Sequence, residues 1–170
     1  MTKQDILENR VKSVYLALGS NLGDKKANIE KAKFELIKQN IIISKTSSFY
    51  SSLSWPNPKN PRFLNIVLLI KTNLKALNLL EVCKKIEANL GRKKSPKNAP
   101  RICDIDIIDY DKMTINNQIV LPHPRMHKRI FVLLPLFEIN KDWDHPILKY
   151  NIKKLLLSLP NRDITSIKQI

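Results

Sequence analysis

With 170 residues, 43% of them apolar, the chain has the usual size of one folding unit and enough apolar surface to offset the entropy of ordering it, which excludes an intrinsically disordered protein. Thirty Lys and Arg against 15 Asp and Glu give a formal charge of +15, which favours anionic partners without choosing among nucleotides, nucleic acid and lipid. The longest apolar runs, such as 66–70, are far too short to span a bilayer, the first residues lack a stretch of signal-peptide length, and the two cysteines have no metal-ligand spacing, so a single cytoplasmic domain over 1–170 with reduced, packed thiols is expected.

Residues 13–18 form an apolar run that ends at Gly19-Ser20-Asn21, and Ile29, Ala32 and Leu36 then recur at helical spacing. That predicts a strand, a turn and a helix. Residues 41–50 and 63–71 are rich in β-branched and aromatic side chains and read as two strands, separated by a loop whose Pro56, Pro58 and Pro61 exclude regular structure. Ala76, Leu79, Leu80, Cys83, Ile86 and Leu90 share one helical face, and Gly91 stands where a helix-ending glycine belongs. Residues 103–110 read as a fourth strand, 114–121 around Asn116-Asn117 as a hairpin, and 131–139 and 151–157 as short helices.

The order β-α-β-β-α-β is the ferredoxin-like arrangement, an α+β sandwich in which two helices cover one face of an antiparallel sheet and leave the other face for a ligand. The added hairpin and the short C-terminal helices are appendages to it. This architecture hosts RNA-binding modules as well as enzymes, so function has to come from particular residues.

Asp104 and Asp106 lie on one strand, where side chains alternate, so both carboxylates face one side while Ile105 and Ile107 face the other. Their Cα atoms are about 6.6 Å apart by strand rise, close enough to bridge divalent ions roughly 4 Å apart, and hard oxygen ligands favour Mg²⁺. A bare D-x-D is also what a solvated strand face looks like, so the surroundings decide. Lys84, Lys85, Arg92, Lys93, Lys94, Lys97 and Arg101 precede the pair, and His123, Arg125, Lys128 and Arg129 follow it. Two acids among so many cations suggest a metal–triphosphate site, with side chains holding the phosphates because no glycine-rich phosphate loop is present.

Five segments, in order, then resemble one family: Tyr15-Leu16-Ala17-Leu18-Gly19-Ser20-Asn21-Leu22-Gly23; Phe63-Leu64-Asn65; Ile86-Glu87 with Gly91-Arg92; residues 97–108, which carry Ala99-Pro100-Arg101 and Asp104-Ile105-Asp106-Ile107-Ile108; and Leu121-Pro122-His123-Pro124-Arg125-Met126. From about residue 14 to 139 the chain is similar to the 6-hydroxymethyl-7,8-dihydropterin pyrophosphokinases. The resemblance implies ATP as co-substrate, two Mg²⁺ ions on Asp104 and Asp106, and phosphate contacts from Arg101, Arg92 and Lys94, with Arg129 and His123 completing the nucleotide site. It places Lys84, Glu87 and Ile107 near the nucleotide. It has Phe63 and Phe131 sandwich the pterin, Asn65 read its polar edge, and Ser52, Leu53 and Trp55 contribute from the loop.

Lys94, Asn98 and Pro124 depart from the family pattern, at positions where many or some members have arginine, tryptophan and tyrosine respectively. Gly19 and Asn21 read as turn formers outside the site. The implied reaction is attack of the pterin hydroxyl on the β-phosphorus of ATP with AMP leaving, in folate biosynthesis. A monomer without nucleic-acid or membrane partners is expected. The rival reading, a small basic RNA-binding module of the same fold, lacks the aromatic-rich strand that stacks bases and does not account for the paired aspartates.

Overall fold

The computed structural model describes residues 10–54, 57–92, 96 and 99–170. Strand β1 (Lys12–Ser20) leads through Gly23 into helix α1 (Lys25–Lys38), whose first turn is capped by the Asp24 carboxylate accepting the Ala27 N–H at 3.0 Å. Next come β2 (Ile42–Thr46), β3 (Tyr50–Ser52), β4 (Phe63–Thr72) and helix α2 (Ala76–Asn89). Gly91, at φ +97°, closes α2 in a backbone conformation that side chains with a Cβ seldom adopt. Then follow β5 (Asp104–Tyr110), the hairpin β6 (Ile115–Asn116) and β7 (Val120–Leu121), α3 (Ile130–Ile139), α4 (Ile152–Leu157), α5 (Asn161–Ser166) and β8 (Lys168–Gln169).

The main sheet runs β5-β1-β4-β3-β8, with β2 also on β4, and the pairings of β1, β2, β3, β4, β5 and β8 within it are antiparallel. The single strand expected over 41–50 is two strands. At the break, Ser47 replaces ladder bonds with a local stitch: its N–H donates to the Val67 carbonyl and its hydroxyl accepts the Val67 N–H, both at 2.9 Å. The expected final strand starts at Asp104, and a register shift against β1 between Tyr15 and Leu16 lets Asp109 share the face of Ile108 and returns Tyr110 to the face that Ile107 occupies.

One face of the sheet carries Leu16, Leu18, Ile66, Leu68, Ile70, Ile105 and Ile107 against Ile29, Ala32 and Leu36 of α1 and Leu79, Cys83 and Ile86 of α2. The opposite face is not left free along its whole length. Tyr15, Val67 and Ile108 there pack under Val132, Leu133 and Leu136 of α3 and under Trp143, Ile152 and Leu155. Trp143 is fully buried and its indole N–H donates to the buried Asp109 carboxylate at 2.8 Å, which gives the Asp142-to-Pro146 segment its structural role. Both thiols are buried, as expected, and burial together with Glu87 pushes the Cys83 and Cys103 pKa values up to about 12. Among the described residues, no helix is long and apolar enough to cross a membrane.

Candidate active site

Beyond Val67 and Ile108 the second face runs on to where β5 and β4 begin and β1 ends. Register puts Asp104 opposite Gly19, Gly19 opposite Asn65, and Asn65 opposite Tyr50, so these four form one row across the sheet. Asp106 sits two residues along β5, opposite Ala17. Strand alternation therefore brings Asp104, Asp106 and Asn65 to one surface, with Phe63 beside Asn65.

Gly19 matters for closeness of approach. A Cβ there would meet Asn65 Oδ1 at 3.1 Å and the Phe63 ring at 3.4 Å, so the missing side chain is what lets Asn65 and Phe63 lie flat over β1. Asn65 is buried; its Nδ2 donates to Ser52 Oγ at 2.9 Å and to the Tyr50 carbonyl at 3.3 Å. Those bonds fix the amide so that Oδ1 points over Gly19 into the row.

Each aspartate is met by guanidinium groups. Asp104 accepts from Arg92 Nη1 at 2.7 Å and Arg101 Nη1 at 3.1 Å, and Asp106 accepts from Arg129 Nη1 at 3.2 Å. Burial lowers the Arg92 pKa, but Asp104 and then Glu87 outweigh it, and the net shift is upward. Burial dominates at Arg129, whose pKa falls despite Asp106, marking a desolvated cation with a strong appetite for anionic oxygen. The same guanidinium lies 5.5 Å from the centre of the Phe131 ring, which joins the acid cluster to the aromatic one.

His123 is brought in by its main-chain N–H, which donates to the Ile108 carbonyl of β5 at 2.9 Å. Its Nδ1 lies 3.1 Å from the Arg125 N–H, and its Nε2 lies 3.4 Å from Arg129 Nη1 and 3.9 Å from Asp106 Oδ2. Burial lowers its pKa, Asp106 opposes that, and Arg129 and Arg125 reinforce it, so the ring is neutral near pH 7.

Other expected residues stand apart from this surface. Glu87 is buried and fully engaged: Oε1 accepts the Ile105 N–H at 2.7 Å, and the carboxylate pairs with Lys84 at 3.1 Å and with Arg92. It holds Arg92 and the start of β5 in place. The Ile107 side chain is packed on the helix side of the sheet, away from the aspartates. Ser52 is buried under Asn65, while Leu53 is exposed. Trp55 and Lys94 lie outside the described residues, as do Lys97 and Asn98. Gly19 and Asn21 do more than form a turn: Gly19 lies under Asn65 and Phe63, and Asn21 ties the neighbouring loops together.

The RNA-binding alternative finds no support here. The sheet face such a module would use for stacking bases carries two aspartates at one end and is sealed by α3 at the other.

Comparison with known proteins agrees with this chemistry. The family model of 7,8-dihydro-6-hydroxymethylpterin-pyrophosphokinase matches residues 15–141. A 2-amino-4-hydroxy-6-hydroxymethyldihydropteridine pyrophosphokinase of Aquifex aeolicus is 41% identical over 84% of this chain and 89% of its own. That of Bacillus subtilis is 39% identical over 74% and 76% respectively. The folic acid synthesis protein FOL1 of Dictyostelium discoideum is 40% identical over 87% of this chain, which spans only 22% of that longer protein. In fold, the chain is similar to a triple mutant of Plasmodium falciparum HPPK-DHPS with pteroate, with a TM-score of 0.77 at 16% identity, covering 96% of this chain and 47% of the other. The chain thus belongs to the 7,8-dihydro-6-hydroxymethylpterin-pyrophosphokinase family, the ATP-using diphosphokinases of folate biosynthesis.

Proposed function

We propose that this surface transfers the terminal diphosphoryl group of ATP to the hydroxymethyl oxygen of 6-hydroxymethyl-7,8-dihydropterin in a Mg²⁺-dependent reaction. The observation that carries the reading is the row Asp104–Gly19–Asn65 with Phe63 alongside: a pair of acids flanked by Arg92, Arg101 and Arg129 adjoins a polar amide and an aromatic ring. The ferredoxin-like βαββαβ assignment goes with it, supported by the antiparallel order and by two helices on one face. So does a single monomeric cytoplasmic domain.

The donor set fits Mg²⁺. Asp104 and Asp106 offer hard carboxylate oxygens, and among the described residues no group of three or more His, Cys, Asp or Glu would enclose a cation. That leaves most of the coordination shell to phosphate oxygens and water, the arrangement Mg²⁺ prefers beside a nucleotide. Two such ions on Asp104 and Asp106 would neutralise phosphate charge.

The chain's own residues do the rest. Arg92, Arg101 and Arg129, now paired with the aspartates, exchange carboxylate for phosphate oxygens as the nucleotide enters. His123 lines the same end as a neutral imidazole. Phe63 and Phe131 stack on the pterin, and Asn65 Oδ1 accepts from its ring N–H groups. The hydroxymethyl oxygen forms a bond to the β-phosphorus as the bond from that phosphorus to the α-phosphate bridging oxygen breaks. AMP departs and the hydroxyl proton passes to solvent. Such loose transition states gain mainly from positioning and charge neutralisation, so a strong base is not required.

Incubating the protein with ATP, Mg²⁺ and 6-hydroxymethyl-7,8-dihydropterin should yield AMP and the pterin diphosphate in equal amounts. ADP as the nucleotide product, or AMP formed at the same rate without the pterin, would overturn the proposal.

A further inference from the structure

The residue following β1, Asn21, was expected to do no more than shape a turn, yet it is buried at 2% exposure and its carboxamide is spent at both ends. Oδ1 accepts the Arg101 N–H at 2.7 Å. Nδ2 donates to Ser54 Oγ at 3.3 Å and to the Pro61 carbonyl at 3.2 Å. The Asn21 N–H also donates to the Arg101 carbonyl at 3.2 Å, so the two residues exchange a pair of bonds, with the Asn21 side-chain oxygen where a strand pair has a main-chain carbonyl. Ser54, itself buried, donates from its hydroxyl to the same Pro61 carbonyl and closes the neck of the loop between β3 and β4.

One side chain therefore joins three segments: the exit of β1, the neck of the loop that leads into Phe63, and the run from Arg101 into Asp104. The chemistry is specific to asparagine. Aspartate keeps the acceptor but turns the donor into a second acceptor facing the Pro61 carbonyl, and glutamine is a methylene too long for a position with no spare room.

We propose that Asn21 is a positioning residue that couples the two substrates, passing a displacement of Arg101 on nucleotide binding to the neck of the pterin-side loop, and the reverse. The inference rests on the site reading above. Coupling of this kind is reciprocal, so nucleotide should tighten pterin binding by the same factor that pterin tightens nucleotide.

The test is a titration of a fluorescent pterin analogue with and without a non-hydrolysable ATP analogue and Mg²⁺, on the wild type, Asn21→Asp and Ser54→Ala. In the wild type the nucleotide analogue should tighten the pterin by on the order of tenfold or more. In Asn21→Asp that factor should fall to about 1–2, while the affinity for nucleotide alone shifts by less than about threefold. A purely structural role would instead lower the thermal midpoint and leave the factor intact, and that result would overturn the proposal. Ser54→Ala cuts one of the two loop-side bonds of Nδ2 and the Ser54 bond to Pro61, so it should lower the factor part of the way even if Asn21→Asp does not fold, and an unchanged factor there counts against the coupling role of Asn21. Wild-type protein that binds neither ligand would overturn the site reading and the role of Asn21 with it; wild-type protein that binds both, with coupling retained in the variants, would overturn the role of Asn21 alone.

Discussion

The two ends of the sheet's second face obey the same strand alternation but are finished in opposite ways. Under α3, Val67 and Ile108 meet Val132, Leu133 and Leu136, and every contact favours burial. At the other end, Asp104 and Asp106 are held half-exposed against Arg92, Arg101 and Arg129, and Asn65 and Phe63 lie over a glycine. Apolar burial stabilises the first end. The second holds charges whose pairing contributes little to stability and whose arrangement is complementary to a polyanion with its cations. The sheet is thus clamped at one end and receptive at the other.

The comparison can be broken from its stable end first. Leu133→Ala removes a fully buried side chain of α3 and should cost about 2–5 kcal/mol of folding stability, read by denaturant titration, while turnover of the remaining folded protein stays near wild type. A variant that lost turnover but not stability would mean that α3 serves chemistry and not the clamp.

From the receptive end, Arg101→Ala and Arg129→Ala should each lower turnover by roughly 10²–10³-fold and raise the ATP Michaelis constant far less, because a positioned cation gains most where charge develops in the transition state. Steady-state kinetics decide this; a change confined to the Michaelis constant would reduce both arginines to ground-state binding.

Stacking should be a smaller effect. Phe63→Ala or Phe131→Ala should weaken binding of a pterin analogue by about 5- to 150-fold, the range for about 1–3 kcal/mol of stacking, and leave nucleotide affinity almost unchanged. Equal losses for both ligands would make the rings part of the packed core.

The smallest effect sharpens the clamp. His145 is buried beside Trp143, with Nδ1 accepting the Ile147 and Leu148 N–H groups, and burial followed by His127 lowers its pKa below the ordinary 6.5. The unfolded chain therefore takes up this proton first as pH falls, so stability is present above that value and declines below it. The thermal midpoint should drop between about pH 7.5 and about pH 5.5, and drop less in His145→Asn, which keeps an acceptor but cannot titrate. An identical pH slope in the variant would assign the decline to other groups.

Much of this was legible in the chain. Period-two alternation put Asp104 and Asp106 on one surface, and helical spacing picked out Ile29, Ala32 and Leu36, all of which are buried. Local patterns did not reveal what depends on distant partners. The buried bond of Glu87 to the Ile105 N–H spans 18 residues, so spacing along the chain does not show it. Ser47 breaks a strand only because Val67 is there to be stitched, and Asn21 resembles any turn asparagine until Pro61 and Arg101 arrive beside it. Behind α3, Trp143 reaches Asp109 across 34 residues, which no periodicity signals.

The most direct test of the account is Asp106→Asn, measured for AMP formation and for folding stability on the same preparation. The substitution keeps volume and hydrogen bonding to Arg129 but removes one carboxylate charge. The account predicts that turnover falls by roughly 10³-fold or more while stability changes by no more than about 1–2 kcal/mol. Near-normal turnover would contradict it, as would loss of activity explained entirely by unfolding.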